Sequence, residues 1–159
     1  MESAIKKAIK LLLASGILIA TTAQAQLPSW SDAQAEAWAV IEKSWVDDSQ
    51  ETGTWLVEYT DEKYIGWDDV SAAPRDHSTS IAWQQLDSRR SSRFWYLITP
   101  LSIAVEGDTA VIMYYVDQIS RGVSAGGGRS ILGTVAVLIR DDGDWKFLST
   151  IQFTSKFNN

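Results

Sequence analysis

His77, the only histidine in the chain, is the residue best suited to acid–base chemistry. An imidazole is the side chain whose unperturbed charge changes between about pH 5 and 8, so His77 could serve as a general base. Asp76 is its neighbour in sequence, and Asp68 or Asp69 could orient the ring across a loop, as hydration or aldol chemistry requires. The alternative is that His77 is a solvated or helix-capping residue.

Three carboxylates end or interrupt apolar strands and are therefore the ones most suited to face a cavity: Asp68, Asp69 and Asp117. Burial raises the pKa of a carboxyl group, which can then act as an acid or a base near neutrality. The alternative is that these residues cap turns. The candidate catalytic set is accordingly His77, Asp68 and Asp117.

Aromatic residues supply the material for a ligand-binding wall, because each can bury about 150–250 Å². Tryptophans dominate, with eight in the chain, and a flat apolar ligand would suit them. The alternative is that they only fill the core. A glycine-rich stretch before Arg129 predicts a flexible hairpin loop over the pocket, with the guanidinium available to an anionic group. The candidate ligand-binding residues are Trp38, Trp45, Trp67, Trp95, Tyr96, Tyr115 and Arg129.

The sequence lacks the residues that several classes of functional site require. The chain has no cysteine and one histidine, so a disulfide framework, a thiolate zinc site and a cysteine nucleophile are excluded. No P-loop lysine, nucleophile elbow or calcium-loop spacing occurs. The sequence therefore predicts neither a metal nor a cofactor.

The N-terminal segment has the order of a secretory signal: Lys6, Lys7 and Lys10, an apolar run over residues 11–20, and small residues up to Ala25. We expect cleavage before Gln26 and export to the periplasm or beyond; a retained anchor is the alternative. Residues 26–159 then form a single domain with 11 basic and 19 acidic residues, a formal charge of −8. Nucleic acid is an unsuitable partner for that charge, and no later run is long enough to span a bilayer.

Helical periodicity comes early in the mature chain. Ala35, Trp38, Ile41 and Trp45 recur at steps of three and four residues, which predicts an amphipathic helix over residues 31–48 capped by Ser31 or Asp32. A short helix or turn follows near residues 55–59, then a strand over residues 64–67. Residues 78–86 have helix character, with Ser78 or Thr79 as the cap.

The second half of the chain is rich in β-branched and aromatic residues, which predicts four long strands over residues 94–105, 109–119, 130–140 and 145–154. Tight turns and one glycine-rich loop connect them, so the sheet should be antiparallel. Both faces of the strand over residues 109–119 are apolar. Since helices can cover only one face, we expect a homodimer through the other; a C-terminal or loop segment folding over it is the alternative.

This order of elements, with the sequence 59–67 (YTDEKYIGW) after the first helix and a late DGDWK at 142–146, resembles the nuclear transport factor 2-like superfamily and especially its SnoaL-like branch. The resemblance implies an α+β domain: a cone-like, strongly curved antiparallel sheet with N-terminal helices packed on its concave face. It also implies an interior apolar pocket and frequent homodimers.

Members include isomerases, dehydratases, cyclases, hydrolases and non-catalytic ligand binders, so the fold does not choose a function. The isomerase base is poorly matched, because Trp67 falls where that base belongs and Asp68 comes one position later. We expect an exported protein that binds a small hydrophobic or aromatic ligand. A SnoaL-like enzyme doing cofactor-free acid–base chemistry on a hydrophobic carbonyl compound is the first alternative, and a protein interaction module is the second.

Overall fold

The computed structural model describes residues 29–49, 54–87, 91–122 and 128–154. The predicted signal segment, residues 1–25, and most of the predicted glycine-rich loop lie outside the described residues. Within these ranges, three helices and six strands follow one another. In order they are α1 (Asp32–Ser49), α2 (Trp55–Glu58), β1 (Thr60–Asp68), β2 (Arg75–Asp76), α3 (His77–Asp87), β3 (Ser91–Glu106), β4 (Thr109–Gly122), β5 (Gly128–Asp141) and β6 (Asp144–Thr154).

Two of the helices, α1 and α3, begin at side-chain caps. Ser31 and Gln34 form a reciprocal capping box at α1, in which each side chain accepts a hydrogen bond from the other residue's backbone N–H. At α3 the cap is Asp76, which accepts hydrogen bonds from the Thr79 backbone N–H at 2.8 Å and from the Ser78 hydroxyl. The prediction of Ser78 or Thr79 as that cap was wrong by two or three positions.

The six strands form one sheet in the order β2-β1-β6-β5-β4-β3. Strands β3 to β6 pair as antiparallel hairpins, as predicted, with bulges between Arg93 and Trp95 and between Pro100 and Ser102. β1 runs parallel to β6 instead, so the sheet is mixed rather than wholly antiparallel. The turn patterns of the sequence could not predict this pairing, because it joins residues 84 to 87 positions apart, as in Ile65 with Ser149 and Thr60 with Phe147.

The core lies between α1 and the concave face of the sheet. Alternate residues of β4 (Ala110, Ile112, Tyr114 and Val116) are buried there against Ala37, Trp38, Ile41 and Trp45 of α1. The predicted helical stripe is confirmed except at Ala35, which is exposed while Ala37 is buried. Within the described part of the chain, no helix has the length and apolar character needed to cross a membrane.

Candidate functional site

A cavity of about 710 Å³ lies where the helices do not close fully against the sheet. Its walls come from the C-terminal half of α1, from α2, β1, β2 and α3, and from residues 70–73; its floor comes from β4, β5 and β6. Small-molecule sites commonly fall between about 300 and 1,000 Å³. The space therefore suits a ligand of ordinary drug or metabolite size.

Aromatic rings form much of the cavity wall. Trp55 packs edge-on against Phe147 at 5.6 Å and against Tyr64 at 6.4 Å between ring centroids. Trp45 and Trp83 complete the wall from α1 and α3. Such rings offer flat apolar contact area and little hydrogen bonding, which favours a ligand with an apolar body.

Under this wall a chain of hydrogen bonds fixes the floor. The Trp45 indole N–H donates a hydrogen bond to the Tyr114 hydroxyl at 3.3 Å. The side chain of Tyr114 is also hydrogen-bonded to Thr134, and the Gln152 amide donates to Thr134 Oγ1 at 3.3 Å. Burial raises the pKa of Tyr114 to about 12, so its hydroxyl is neutral at physiological pH. The floor is polar but its described members already satisfy one another.

A second pair of hydroxyl groups joins the β1 wall to the floor beside this network. Tyr64 Oη and Thr150 Oγ1 lie 2.5 Å apart, and burial raises the pKa of Tyr64. The Tyr64 ring also lies close over Gly66, where a Cβ would come within 2.7 Å of its hydroxyl. Glycine at this position therefore lets Tyr64 lie flat along the strand.

The mouth of the cavity carries an ion pair between Asp68 at the end of β1 and Arg75 in β2. Asp68 also accepts a hydrogen bond from the Ser71 hydroxyl, and the Arg75 guanidinium lies 5.9 Å from the centre of the Trp83 ring. Burial on its own would raise the pKa of Asp68, but the hydrogen bonds from Ser71 and Arg75 and the positive charge outweigh it, leaving that pKa below its ordinary value. Asp68 is therefore an ionised carboxylate at neutral pH.

Three of the predicted site residues line this cavity: Trp45, Trp67 and Asp68. Trp67 lies at the mouth, half exposed, and its indole N–H donates to the Ser71 carbonyl at 3.2 Å. Trp38 and Tyr96 lie on the concave side without lining the cavity. Trp38 packs edge-on against Tyr114, and Tyr96 lies 5.7 Å from Trp45 between ring centroids.

His77 lies behind the cavity wall rather than in it, with its ring packed edge-on against Tyr64 at 6.3 Å. Its Nε2 atom lies 3.0 Å from the Leu56 carbonyl oxygen and 2.9 Å from Thr60 Oγ1. A carbonyl oxygen can only accept a hydrogen bond, so Nε2 carries the hydrogen and donates it in a hydrogen bond to the Leu56 carbonyl. The ring of His77 thereby links α2 to β1. The acidic residues proposed to orient the imidazole are engaged elsewhere: Asp68 at the mouth, and Asp69 with the Thr154 backbone N–H at 2.8 Å.

The remaining predicted residues lie on the opposite, convex face of the sheet. Trp95 and Tyr115 are each more than 40% exposed there. Asp117 accepts a hydrogen bond from Arg129 Nε at 2.9 Å, and this contact holds the pKa of the Asp117 carboxyl below its ordinary value. Side chains alternate along a strand, so residues one position from Tyr114 and Val116 must point away from the cavity. The structure does not bring these four residues to the site.

Sequence reasoning missed Arg75 and Ser80, both of which line the cavity. On α3, Ser80 is the buried residue, while Ala82 and Leu86 are exposed. A buried serine on a helix carries no hydrophobic signal. Arg75 lies in a two-residue strand within a polar loop, and no local sequence pattern indicates that it lines a cavity.

The arrangement is suited to binding more than to proton transfer. The tyrosine hydroxyls of the lining are neutral and engaged, and the carboxylate at the mouth is ionised and held by two donors. Within the described residues, no group of three His, Asp or Glu side chains could hold a metal ion.

Comparisons with known proteins place the fold. No family model and no curated protein matches the sequence. Solved structures do match: a ketosteroid isomerase-like protein from Erwinia carotovora atroseptica SCRI1043, with TM-score 0.70 and 8% identity, covers 80% of this chain and 100% of that one. An NTF2-like protein from Cytophaga hutchinsonii ATCC 33406 has TM-score 0.67, 12% identity and coverage of 79% and 100%.

A third match is an NTF2-like protein of unknown function in nutrient uptake from Rhodospirillum rubrum ATCC 11170, with TM-score 0.65 and 10% identity over 75% of this chain and 98% of that one. Sequence identities this low support a conclusion about the fold alone. For the fold, the resemblance predicted from the sequence is confirmed. The assignment to the SnoaL-like branch stays a prediction.

Proposed function

We propose that this chain, which has the nuclear transport factor 2-like fold, binds a small and largely apolar molecule in the cavity between its helices and its sheet. The observation that carries the proposal is the tryptophan-walled space of about 710 Å³ above a floor of satisfied hydrogen bonds. Proteins of this fold often enclose such ligands, and the aromatic wall offers shape and apolar contact without a reactive group of its own.

The test is a pair of substitutions on β6 that face opposite ways. Thr150 lines the cavity, and its neighbour Ser149 pairs with Val137 on the convex face. Thr150→Phe should abolish the binding of flat aromatic compounds found by thermal shift, while Ser149→Phe should preserve it. Unchanged binding by a folded Thr150→Phe protein would place the ligand elsewhere.

An enzyme of the SnoaL-like kind is the second candidate, and Asp68 is the observation in its favour. Asp68 is the one member of the predicted catalytic set that lines the cavity. An ionised carboxylate held by Arg75 could take a proton from a carbonyl compound in the cavity. Turnover lost in Asp68→Asn while binding is kept would favour this candidate; equal turnover in both proteins would exclude Asp68.

Export is a further part of the proposal, supported by the lysines and the apolar run before Ala25. In cells, the protein should appear in the periplasmic or extracellular fraction at the mass of residues 26–159. Cytoplasmic accumulation of the full-length chain would contradict it.

We also propose that the convex sheet face pairs with a second copy of the chain. Strand register places Met113, Val135 and Ile151 in one row across β4, β5 and β6, and Tyr115, Gly133 and Phe153 in the next. An apolar surface therefore crosses three strands. Trp95, Leu97, Met113, Tyr115, Ile151 and Phe153 are each more than 40% exposed on it. A surface of this kind marks an interaction site.

The charge on this face suits a twofold contact. Asp117 and Arg129 neutralise each other within one copy, so two such faces would meet without net repulsion. Met113→Glu should convert a dimer to a monomer in sedimentation analysis. Val57→Glu, at an apolar residue on α2 that is more exposed than Met113, should leave the dimer intact. A monomeric wild-type protein would contradict the proposal.

A further inference from the structure

Gln152 contributes an amide group to the floor of the cavity. In the strand register it lies on β6 between Asp68 of β1 and Thr134 of β5, and all three residues line the cavity. Its neighbours Ile151 and Phe153 are exposed on the convex face, and side chains alternate along a strand. The Gln152 side chain therefore points to the concave side, where the cavity lies.

Within the described residues, only the nitrogen of this amide has a partner. Nε2 donates to Thr134 Oγ1 at 3.3 Å, and no described group donates to Oε1. The buried side-chain atoms without a partner in the described part of the chain belong to Arg75, Ser80, Gln118 and Trp145. Oε1 of Gln152 is not one of these buried atoms, and the residue is only partly buried. This oxygen is therefore accessible, and the position of Gln152 between two other lining residues opens it to the cavity.

Gln118 shows the same side chain in a place without a cavity. It lies on β4, on the same side of the sheet, and its Nε2 donates to Ser130 Oγ at 3.3 Å. Its Oε1 is buried, and the residue does not line the cavity. Both glutamines thus bond through nitrogen to a hydroxyl of β5, but only Gln152 leaves its amide oxygen where a ligand can reach it.

The chemistry of an amide oxygen decides which ligand group it can bind. Such an oxygen can only accept a hydrogen bond, so the ligand atom that meets it must carry a hydrogen. A ligand ether or ketone oxygen placed against Gln152 Oε1 would lose its water without gaining a bond. The neighbouring carboxylate of Asp68 also accepts only, and its charge is already paired with Arg75. A neutral donor is therefore sufficient, and no cationic group is required.

We propose that Gln152 selects a ligand with a flat apolar body and a hydroxyl group, which donates a hydrogen bond to Gln152 Oε1. The inference rests on the proposed binding function and specifies the ligand class for the same cavity. Trp55 and Phe147 contact the apolar body of the ligand, and the amide on the floor binds its hydroxyl group.

The experiment uses three naphthalenes that carry a hydroxyl, a methyl or a methoxy group at the same ring carbon. Only the hydroxyl donates a hydrogen bond, while the methoxy oxygen accepts and the methyl group does neither. Affinities are measured by equilibrium dialysis at neutral pH, where naphthol is uncharged. Gln152→Met, which keeps the length of the side chain and removes the acceptor, should weaken naphthol about 3- to 10-fold. It should leave methylnaphthalene and methoxynaphthalene within about 2-fold.

Gln118→Met is the matched control, because it makes the same substitution on the same side of the sheet outside the cavity. It should leave all three affinities unchanged. A loss of naphthol affinity in Gln118→Met equal to that in Gln152→Met would show that the effect is not local, and would overturn the inference.

The remaining outcomes separate this inference from the binding function. If Gln152→Met weakens all three compounds equally, Gln152 only shapes the floor, and the selection of a hydroxyl is refuted while the pocket stands. A larger loss for methoxynaphthalene than for naphthol would show that the amide turns its nitrogen to the ligand, which also refutes it. If none of the three binds to wild-type protein whose folding is verified by circular dichroism, the binding function itself fails, and this inference with it.

Discussion

Replacing Asp68 by Asn should destabilise the protein, because the guanidinium of Arg75 loses the negative charge with which it is paired. The side chains of Asp68 and Arg75 are 23% and 25% exposed, so the pair lies between two regimes. Exposed ion pairs contribute about 0.2–1 kcal/mol, whereas removing one partner of a fully buried pair costs about 3–5 kcal/mol. For Asp68→Asn we expect a loss of about 1–2 kcal/mol in the free energy of unfolding at neutral pH.

The pH dependence fixes the sign of this effect. The folded-state pKa of Asp68 lies below its ordinary value of 3.8, so the folded protein binds its proton less readily than the unfolded chain does. The ionised carboxylate therefore contributes stability that is complete above the unfolded-state pKa and is lost as the pH falls through the folded-state pKa. The wild type should exceed Asp68→Asn in stability at neutral pH, and the difference should shrink below about pH 4.

Urea unfolding of both proteins across this pH range is the assay. Asp117→Asn is the matched control, because its partner Arg129 has a side chain 67% exposed and solvent screening should make the loss smaller. Combining Asp68→Asn with Arg75→Gln should destabilise less than the two single losses added together. Equal stability of Asp68→Asn and wild type at neutral pH, or a difference that persists undiminished in acid, would refute the reasoning.

Three further predictions concern stability and are measured by urea unfolding at low protein concentration. Tyr114→Phe should cost about 1–3 kcal/mol because it removes the hydroxyl that accepts the hydrogen bond from the Trp45 indole N–H, whereas Tyr115→Phe, on the convex face, should stay within about 0.5 kcal/mol; similar losses would show that the floor network contributes nothing. Ile112→Ala should cost about 2–5 kcal/mol and Met113→Ala far less, and a reversed order would contradict the assigned faces of β4. Ser31→Ala should cost about 1 kcal/mol by removing the α1 cap, and no loss would mean that the capping box is not formed in solution.

Local patterns in the sequence were sufficient for most of the core and for the elements other than the two-residue strand β2. The tryptophan stripe of α1, the four long strands and their hairpins follow from periodicity and turn chemistry, which act between near neighbours. The same alternation already set Asp117 and Tyr115 on one side of β4 and Tyr114 on the other. Which side would face a cavity depends on where the helices pack, and that is a tertiary matter.

The site itself was only partly predictable. Trp45, Trp67 and Asp68 could be chosen by residue type and position, but Arg75 and Ser80 carry no local signal. His77 drew attention as the single histidine, yet its ring joins α2 to β1. Rarity of a residue type does not report its surroundings, because hydrogen-bond partners come from distant parts of the chain.

The parallel contact of β1 with β6 also bears on the order of folding. Hairpins β3 to β6 close over short separations, whereas Tyr59 accepts its backbone hydrogen bond from Phe147, far along the chain. Closing so long a loop lowers the conformational entropy of the chain before stabilising contacts form. We therefore expect β1 to join the sheet late in folding. Substitutions in β1 should then change mainly the unfolding rate. Amide hydrogen exchange should be fastest at the mouth of the cavity. A ligand could therefore enter by local opening at β1 while the hairpins stay intact.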